Sequence, residues 1–146
     1  MVRDAIVLGL RTVDGRKPRV ALVGGTPAGA MVAGVLMEHF GCAPVAARSG
    51  AEIMALIADR RGIDVVVIDI DADDTQSLLA SQLIGTVGSR AAPPIVALRD
   101  PRQGGADAGR YVRFAGTVAK PYSPRDLFGA LRQALAAPAA VVAGTA

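Results

Sequence analysis

Several groups of residues in this chain have types and spacings that could do chemistry. Val23-Gly-Gly-Thr-Pro-Ala-Gly29 has the outline of a dinucleotide fingerprint, whose middle glycine lets the backbone approach a pyrophosphate. Thr26 holds that middle position, and its Cβ obstructs the approach. A second strand of such a unit should end in an acid, where Ala46, Ala47 and Arg48 stand. Thr26 reads better as a helix N-cap beside two permissive glycines. Asp69-Ile-Asp-Ala-Asp-Asp74 has the start of a calcium loop. It has Asp74 in place of the turn glycine and Ala80 in place of the closing glutamate, so a solvated acidic loop is expected. Arg99, Arg102, Arg110 and Arg113 form a basic, glycine-rich segment. It is either a solvated loop balanced by Asp100 and Asp107, or an anion or nucleotide clamp built from guanidinium forks. His39, beside Glu38, suits dipole compensation at a helix C-terminus. Cys42 has no base near it in sequence and reads as a small buried hydrophobe.

The elements that must position these residues alternate between strand and helix from Arg19 onward. Arg19–Val23 (RVALV) is a buried-type strand. Thr26-Pro27 supplies an N-cap and a first-turn proline, and the helix carries Ala28, Val32, Val35, Leu36 and Phe40 at helical spacing until Gly41 ends it. Ala43–Ala47 is a short second strand. Ser49-Gly-Ala-Glu52 is a capping box opening a helix with Ile53, Leu56 and Ile57 on one face. Asp64–Ile70 (DVVVIDI) is a continuous β-branched strand, and Gln76–Val87 should be a helix with Leu79, Leu83 and Val87 inward. Pro94–Leu98 (PIVAL) gives a fourth strand, Arg99–Arg113 a short helix at most, and Gly116–Ala119 a fifth strand. Ser123-Pro-Arg-Asp126 caps a last helix with Leu127, Leu131 and Leu135 in line.

Five strands alternating with helices predict a three-layer α/β sandwich around a parallel sheet. The functional crevice of such sheets lies at the carboxyl ends of the strands, which singles out Gly24, Gly25, Asp69, Asp71, Arg99 and Lys120. Residues 19–136 are expected to form this domain. Residues 1–18 read as an N-terminal arm or linker, with Asp14-Gly15 leaving room for a marginal extra strand at Ala5–Leu10. Residues 137–146 read as a flexible tail of low complexity.

Composition agrees. With 146 residues, 51% apolar, no tryptophan, two tyrosines and three phenylalanines, the chain must build one core from Val, Ile, Leu and Ala. A single cysteine excludes an internal disulfide and fits a reducing compartment. No secretion signal or membrane-length apolar run is present, so a cytoplasmic location is expected, without membrane insertion. The net charge of +3 rests on arginine, with only Lys17 and Lys120 as lysines. With almost no aromatic platform, this excess does not argue for nucleic-acid binding.

Asp69 at the end of DVVVIDI, then PIVAL, then Ala119-Lys120-Pro121-Tyr122 before a capped helix, resembles the receiver domain of two-component response regulators, the CheY-like family. The resemblance runs from about Arg19 to Leu135. It implies a flavodoxin-like (βα)5 sandwich with sheet order 2-1-3-4-5 and places Asp69 at the phosphoacceptor position. Phosphoryl transfer spreads charge over the equatorial oxygens, which a working receiver neutralises with Mg²⁺ and lysine. The acidic pair that holds Mg²⁺ in the family falls here on Gly24 and Gly25. The hydroxyl residue ending the fourth strand is Arg99, and the aromatic switch residue is Thr117. Local formal charge thus moves from about −2 to about +1, which removes the electrostatic reason for a dication to bind.

The sequence therefore points to a degenerate pseudo-receiver. No catalysis, no metal and no cofactor are expected, and Mg²⁺ binding is expected to be lost. Lys120 and Arg99 are expected to pair with Asp69, with a solvent-facing Arg99 as the alternative. Output should pass through contact with signalling proteins, such as a histidine kinase or a second receiver, or through a homodimer. The expected face combines the fourth and fifth strands with the last helix and includes Thr117, Tyr122, Arg125 and Phe128. Two other readings stay open: an atypical phosphoacceptor using Asp69 with Asp71 and Asp73, and a cyclic-dinucleotide sensor using the arginine segment.

Overall fold

The computed structural model describes residues 9–59, 61–70, 93–100 and 114–136. The expected helix at 76–87, most of the arginine segment and the tail lie outside the described residues. The described chain runs β1 (Arg19–Gly24), α1 (Pro27–His39), β2 (Ala43–Ala47), α2 (Gly50–Ala58), β3 (Val65–Ile70), β4 (Ile95–Arg99), β5 (Gly116–Ala119) and α3 (Pro124–Ala136). The strands form a five-stranded parallel sheet in the order β2-β1-β3-β4-β5.

Strand periodicity of two divides the apolar residues between two cores. Val20, Leu22, Val65, Val67, Val96, Leu98 and Val118 face α1 and α3, where they meet Met37, Phe40, Leu127 and Leu131. Ala21, Val23, Val66, Ile68, Ile95 and Ala97 face the other way, onto Ile53 of α2. Each such valine, leucine or isoleucine contributes roughly 1.5–3 kcal/mol on burial, so central strands covered on both faces need no aromatic residues.

The helix ends form as their residues dictate. Thr26 Oγ1 accepts the Gly29 amide at 3.0 Å, with Pro27 in the first turn. Ser49 Oγ accepts the Glu52 amide at 3.1 Å, and Glu52 reaches back to the Arg48 amide at 2.7 Å. Ser123 and Asp126 cap each other reciprocally at 3.1 Å in both directions. Gly41, at φ 89°, lets the chain leave α1 while its amide and that of Cys42 bond back to Glu38 and Met37.

The structure sets the orientation of α1. Val32 and Val35, which stand at helical spacing with Leu36 and Phe40, are 57% and 61% exposed, while Ala33 and Met37 are buried. The helix has no charged residue before Glu38, so apolar spacing alone does not say which side meets the sheet.

Residues 9–18 pack on the domain. Leu10 is 4% exposed in the α1–α3 core, and its amide donates to the Phe40 carbonyl at 2.7 Å. A Thr12–Arg16 turn follows, closed by a contact from the Thr12 hydroxyl to Asp14. The Asp64 carboxylate then ties this segment down, accepting the Arg19 amide at 2.8 Å and pairing with Arg16 at 3.3 Å.

Candidate functional site

Strand register alone brings Gly24, Asp69 and Arg99 to the carboxyl end of the sheet. Gly24 pairs with Asp69 across β1 and β3, and Ile70 pairs with Arg99, which pairs with Ala119. The β4–β5 ladder continues one step further, as the Lys120 amide donates to the Arg99 carbonyl at 2.7 Å. Lys120 is thereby held at the rim beside Asp69.

The side chains then meet. Lys120 Nζ donates to Asp69 Oδ1 at 2.5 Å, with Asp69 18% and Lys120 24% exposed. This is the expected internal ion pair in its lysine half. Arg99 is half-buried at the end of β4. It falls in phase with Ile95 and Ala97 of the α2-side core, whereas Asp69 is in phase with Val65 and Val67 of the opposite one.

The glycine pair does more than lack carboxylates. Gly24 and Gly25 both have φ 79°, a region that disfavours side chains. A Cβ built on Gly25 would lie 2.6 Å from Asp69 Oδ2 and 3.0 Å from its Cβ and Cγ. The Asp69 carboxylate thus leans into space that exists only because position 25 has no side chain. Below it, a cavity of about 10 Å³ is lined by Gly24, Gly29, Ala30, Val67 and Leu98, room for about one water. No sequence signal announced this contact, since it depends on the β1–β3 register and on the turn after β1.

Tyr122 lies close to the pair. Burial, and then the nearby Asp69 charge, push its phenol above the ordinary tyrosine range, so it stays neutral. A magnesium ion needs oxygen ligands in an octahedron, commonly from more than one carboxylate. At this rim Asp69 already has one oxygen on the Lys120 ammonium. No cluster of three His, Cys, Asp or Glu residues occurs among the described residues. Asp71, Asp73, Arg102, Arg110 and Arg113 lie outside the described residues.

Of the expected contact face, Thr117 and Arg125 are exposed and Tyr122 is half-buried against the core. Thr117, Pro121, Arg125 and Gln133 border an open hollow of about 570 Å³ between β5 and α3. Phe128 is a correction. It is 5% exposed and packs edge-on against Phe40 at 5.3 Å, inside the core. The buried stripe of α3 is wide enough to take in position 128 beside Leu127. His39 is exposed in the last turn of α1, as expected. Cys42 is 1% exposed, and burial pushes its thiol up to about 11, which keeps it unreactive. No helix among the described residues is long and apolar enough to cross a membrane.

No family model and no curated protein sequence matches the chain. Solved structures do. The receiver domain of a sensor histidine kinase from Pseudomonas aeruginosa, with a magnesium ion coordinated in its active site cleft, aligns at a TM-score of 0.68 and 19% identity. That alignment covers 83% of this chain and 99% of that one. A CheY-like receiver domain from Methylobacillus flagellatus aligns at 0.65 and 22% identity, over 81% and 98% of the two chains. The chemotaxis response regulator CheY4 of Vibrio cholerae aligns at 0.64 and 19%, over 81% and 98%. The chain has the flavodoxin-like fold of CheY-like receiver domains.

Proposed function

We propose that this chain is a pseudo-receiver module of two-component signalling, in which Asp69 stands at the phosphoacceptor position without serving as one. One observation carries the reading: the Asp69 carboxylate lies over Gly25 with Oδ1 on Lys120. The place where a metal-holding side chain would stand is taken by the aspartate itself. Phosphoryl transfer to a carboxylate is catalysed almost wholly by positioning and charge neutralisation. Without the acidic pair, Mg²⁺ loses its ligands and the phosphorylation rate its main support. The Lys120 ammonium then acts as a permanent counter-ion and holds the crevice in one arrangement. The module is not an enzyme and uses no cofactor.

Output passes through protein contact in the cytoplasm, with a histidine kinase or a second receiver as partner. The β5–α3 face with Thr117, Tyr122 and Arg125 is the proposed docking surface. Phe128 contributes only by holding α3 in place.

The test is an NMR titration of the labelled chain with Mg²⁺ and then beryllofluoride, which mimics a phosphoryl group. The Asp69 amide and its neighbours are expected to stay unshifted up to millimolar metal. A saturable shift centred on Asp69 overturns the reading in favour of a working phosphoacceptor.

A further inference from the structure

The outer face of α1 is apolar with nothing described against it. Met31, Val32 and Val35 are 70%, 57% and 61% exposed, and Ala28 is exposed one turn earlier. Their spacing makes one continuous stripe along the helix. Elsewhere among the described residues the only other large exposed hydrophobic side chain is Val13, away from this helix.

Charge along α1 is asymmetric in an unusual way. Its first turn holds no acid, although a helix N-terminus favours one, and Glu38 stands in the last turn, where the helix dipole disfavours it. The acid that would suit the first turn thus stands at the opposite end, beside His39. An antiparallel pairing of two such helices corrects both faults at once.

We propose that α1 is a self-association surface, on which a second copy of this chain packs its own α1 antiparallel across a two-fold axis. Centring the axis between Met31 and Val32 sets Val35 over the second copy's Ala28, large against small, and Met31 beside Val32. The same register carries Glu38 to the second copy's Gly25-Thr26 turn, at the end of α1 where the helix dipole favours an acid. Two-fold symmetry makes the contact twice. The Gly24-Gly25 turn has no side chains to obstruct it. This surface differs from the β5–α3 face, and the inference does not depend on whether Asp69 accepts a phosphoryl group.

A single helical stripe buries less than the roughly 1,200 Å² typical of stable interfaces, so the dimer is weak and its population depends on concentration. Sedimentation equilibrium of the full chain over on the order of 10 µM to 1 mM reads the association constant directly. The unaltered chain is expected to pass from monomer to dimer in this range. Val32→Glu and, separately, Val35→Lys should leave it monomeric, with circular dichroism melts verifying that both fold. Glu38→Lys should weaken the dimer by on the order of tenfold. Thr26→Asp keeps an N-cap but places an acid opposite Glu38, so alone it should also weaken association. Combined with Glu38→Lys it should restore it. A chain that stays monomeric throughout, a dimer indifferent to both stripe variants, or a double variant no tighter than Glu38→Lys alone overturns the proposal.

Discussion

Replacing Gly25 with alanine is expected to destabilise the fold by about 2–4 kcal/mol, far more than a methyl group at a strand end should cost. Two contributions make up the figure. An L-residue held at φ 79° sits in the left-handed region, at roughly 1–2 kcal/mol. The new Cβ would also lie 2.6 Å from Asp69 Oδ2, so the carboxylate has to turn and Oδ1 leaves the Lys120 ammonium. Breaking a fully buried ion pair costs more, but these side chains keep 18% and 24% exposure and water compensates in part. About 1–2 kcal/mol remains. The assay is urea unfolding of the unaltered chain, Gly25→Ala, Asp69→Ala and the double variant. With Asp69 shortened to alanine the clash is gone, and Gly25→Ala should then cost only its backbone share. The cycle should return a coupling of about 1–2 kcal/mol. Equal costs of Gly25→Ala in both backgrounds would refute the close approach of Asp69 to the glycine turn.

Three other outcomes follow from the structure. Because burial raises the Cys42 thiol from 9.0 to about 11, the folded state holds that proton more tightly than the unfolded one. Its contribution to stability is complete below pH 9 and is lost as pH climbs towards 11, a fall that Cys42→Ala should lack in urea midpoints measured against pH. Asp64→Ala strips the Arg19 amide of its acceptor and frees Arg16, at about 1–3 kcal/mol, and hydrogen exchange at the Leu10 amide should quicken. Phe128→Ala should cost about 3–5 kcal/mol in thermal or urea unfolding, whereas Arg125→Ala on the exposed side of α3 should stay within about 0.5 kcal/mol. Equal effects would mean that the phase of α3 is wrong.

The sheet could be read from the chain because its strands are dense β-branched runs bounded by caps that name their own helices. Thr26-Pro27, Ser49 with Glu52, and Ser123 with Asp126 each close as their types require. Once the strand order follows, the meeting of Asp69 with Lys120 follows too, since both sit at carboxyl ends. What periodicity could not give was orientation where polarity is uniform. In α1 the apolar residues go all the way round, so Val32 and Val35 looked as inward as Ala33 and Met37. Phe128 looked like a surface aromatic because the leucines at 127, 131 and 135 already make a complete stripe, and a wider buried face is invisible until Phe40 arrives from another helix. The anchoring of residues 9–18 was hidden for a related reason. One leucine and a carboxylate forty-odd residues downstream hold the segment, and neither leaves a periodic trace.

The glycines and the ion pair are best understood as one physical unit. An acid at position 25 and the present rotamer of Asp69 compete for the same volume, with 2.6 Å between the would-be Cβ and Oδ2. A single glycine-to-aspartate change therefore does not simply return a metal ligand. It first has to displace the Asp69 carboxylate, separate it from Lys120 and accept a left-handed side chain. The cost of that rearrangement opposes any gain from metal coordination, so the closed arrangement should persist against one-step reversal. Gly25→Asp is accordingly expected to lose stability, by at least the backbone share of the alanine change, and to gain no measurable Mg²⁺ affinity by calorimetry. Tight metal binding by that single variant would show that the crevice was never committed to its lysine.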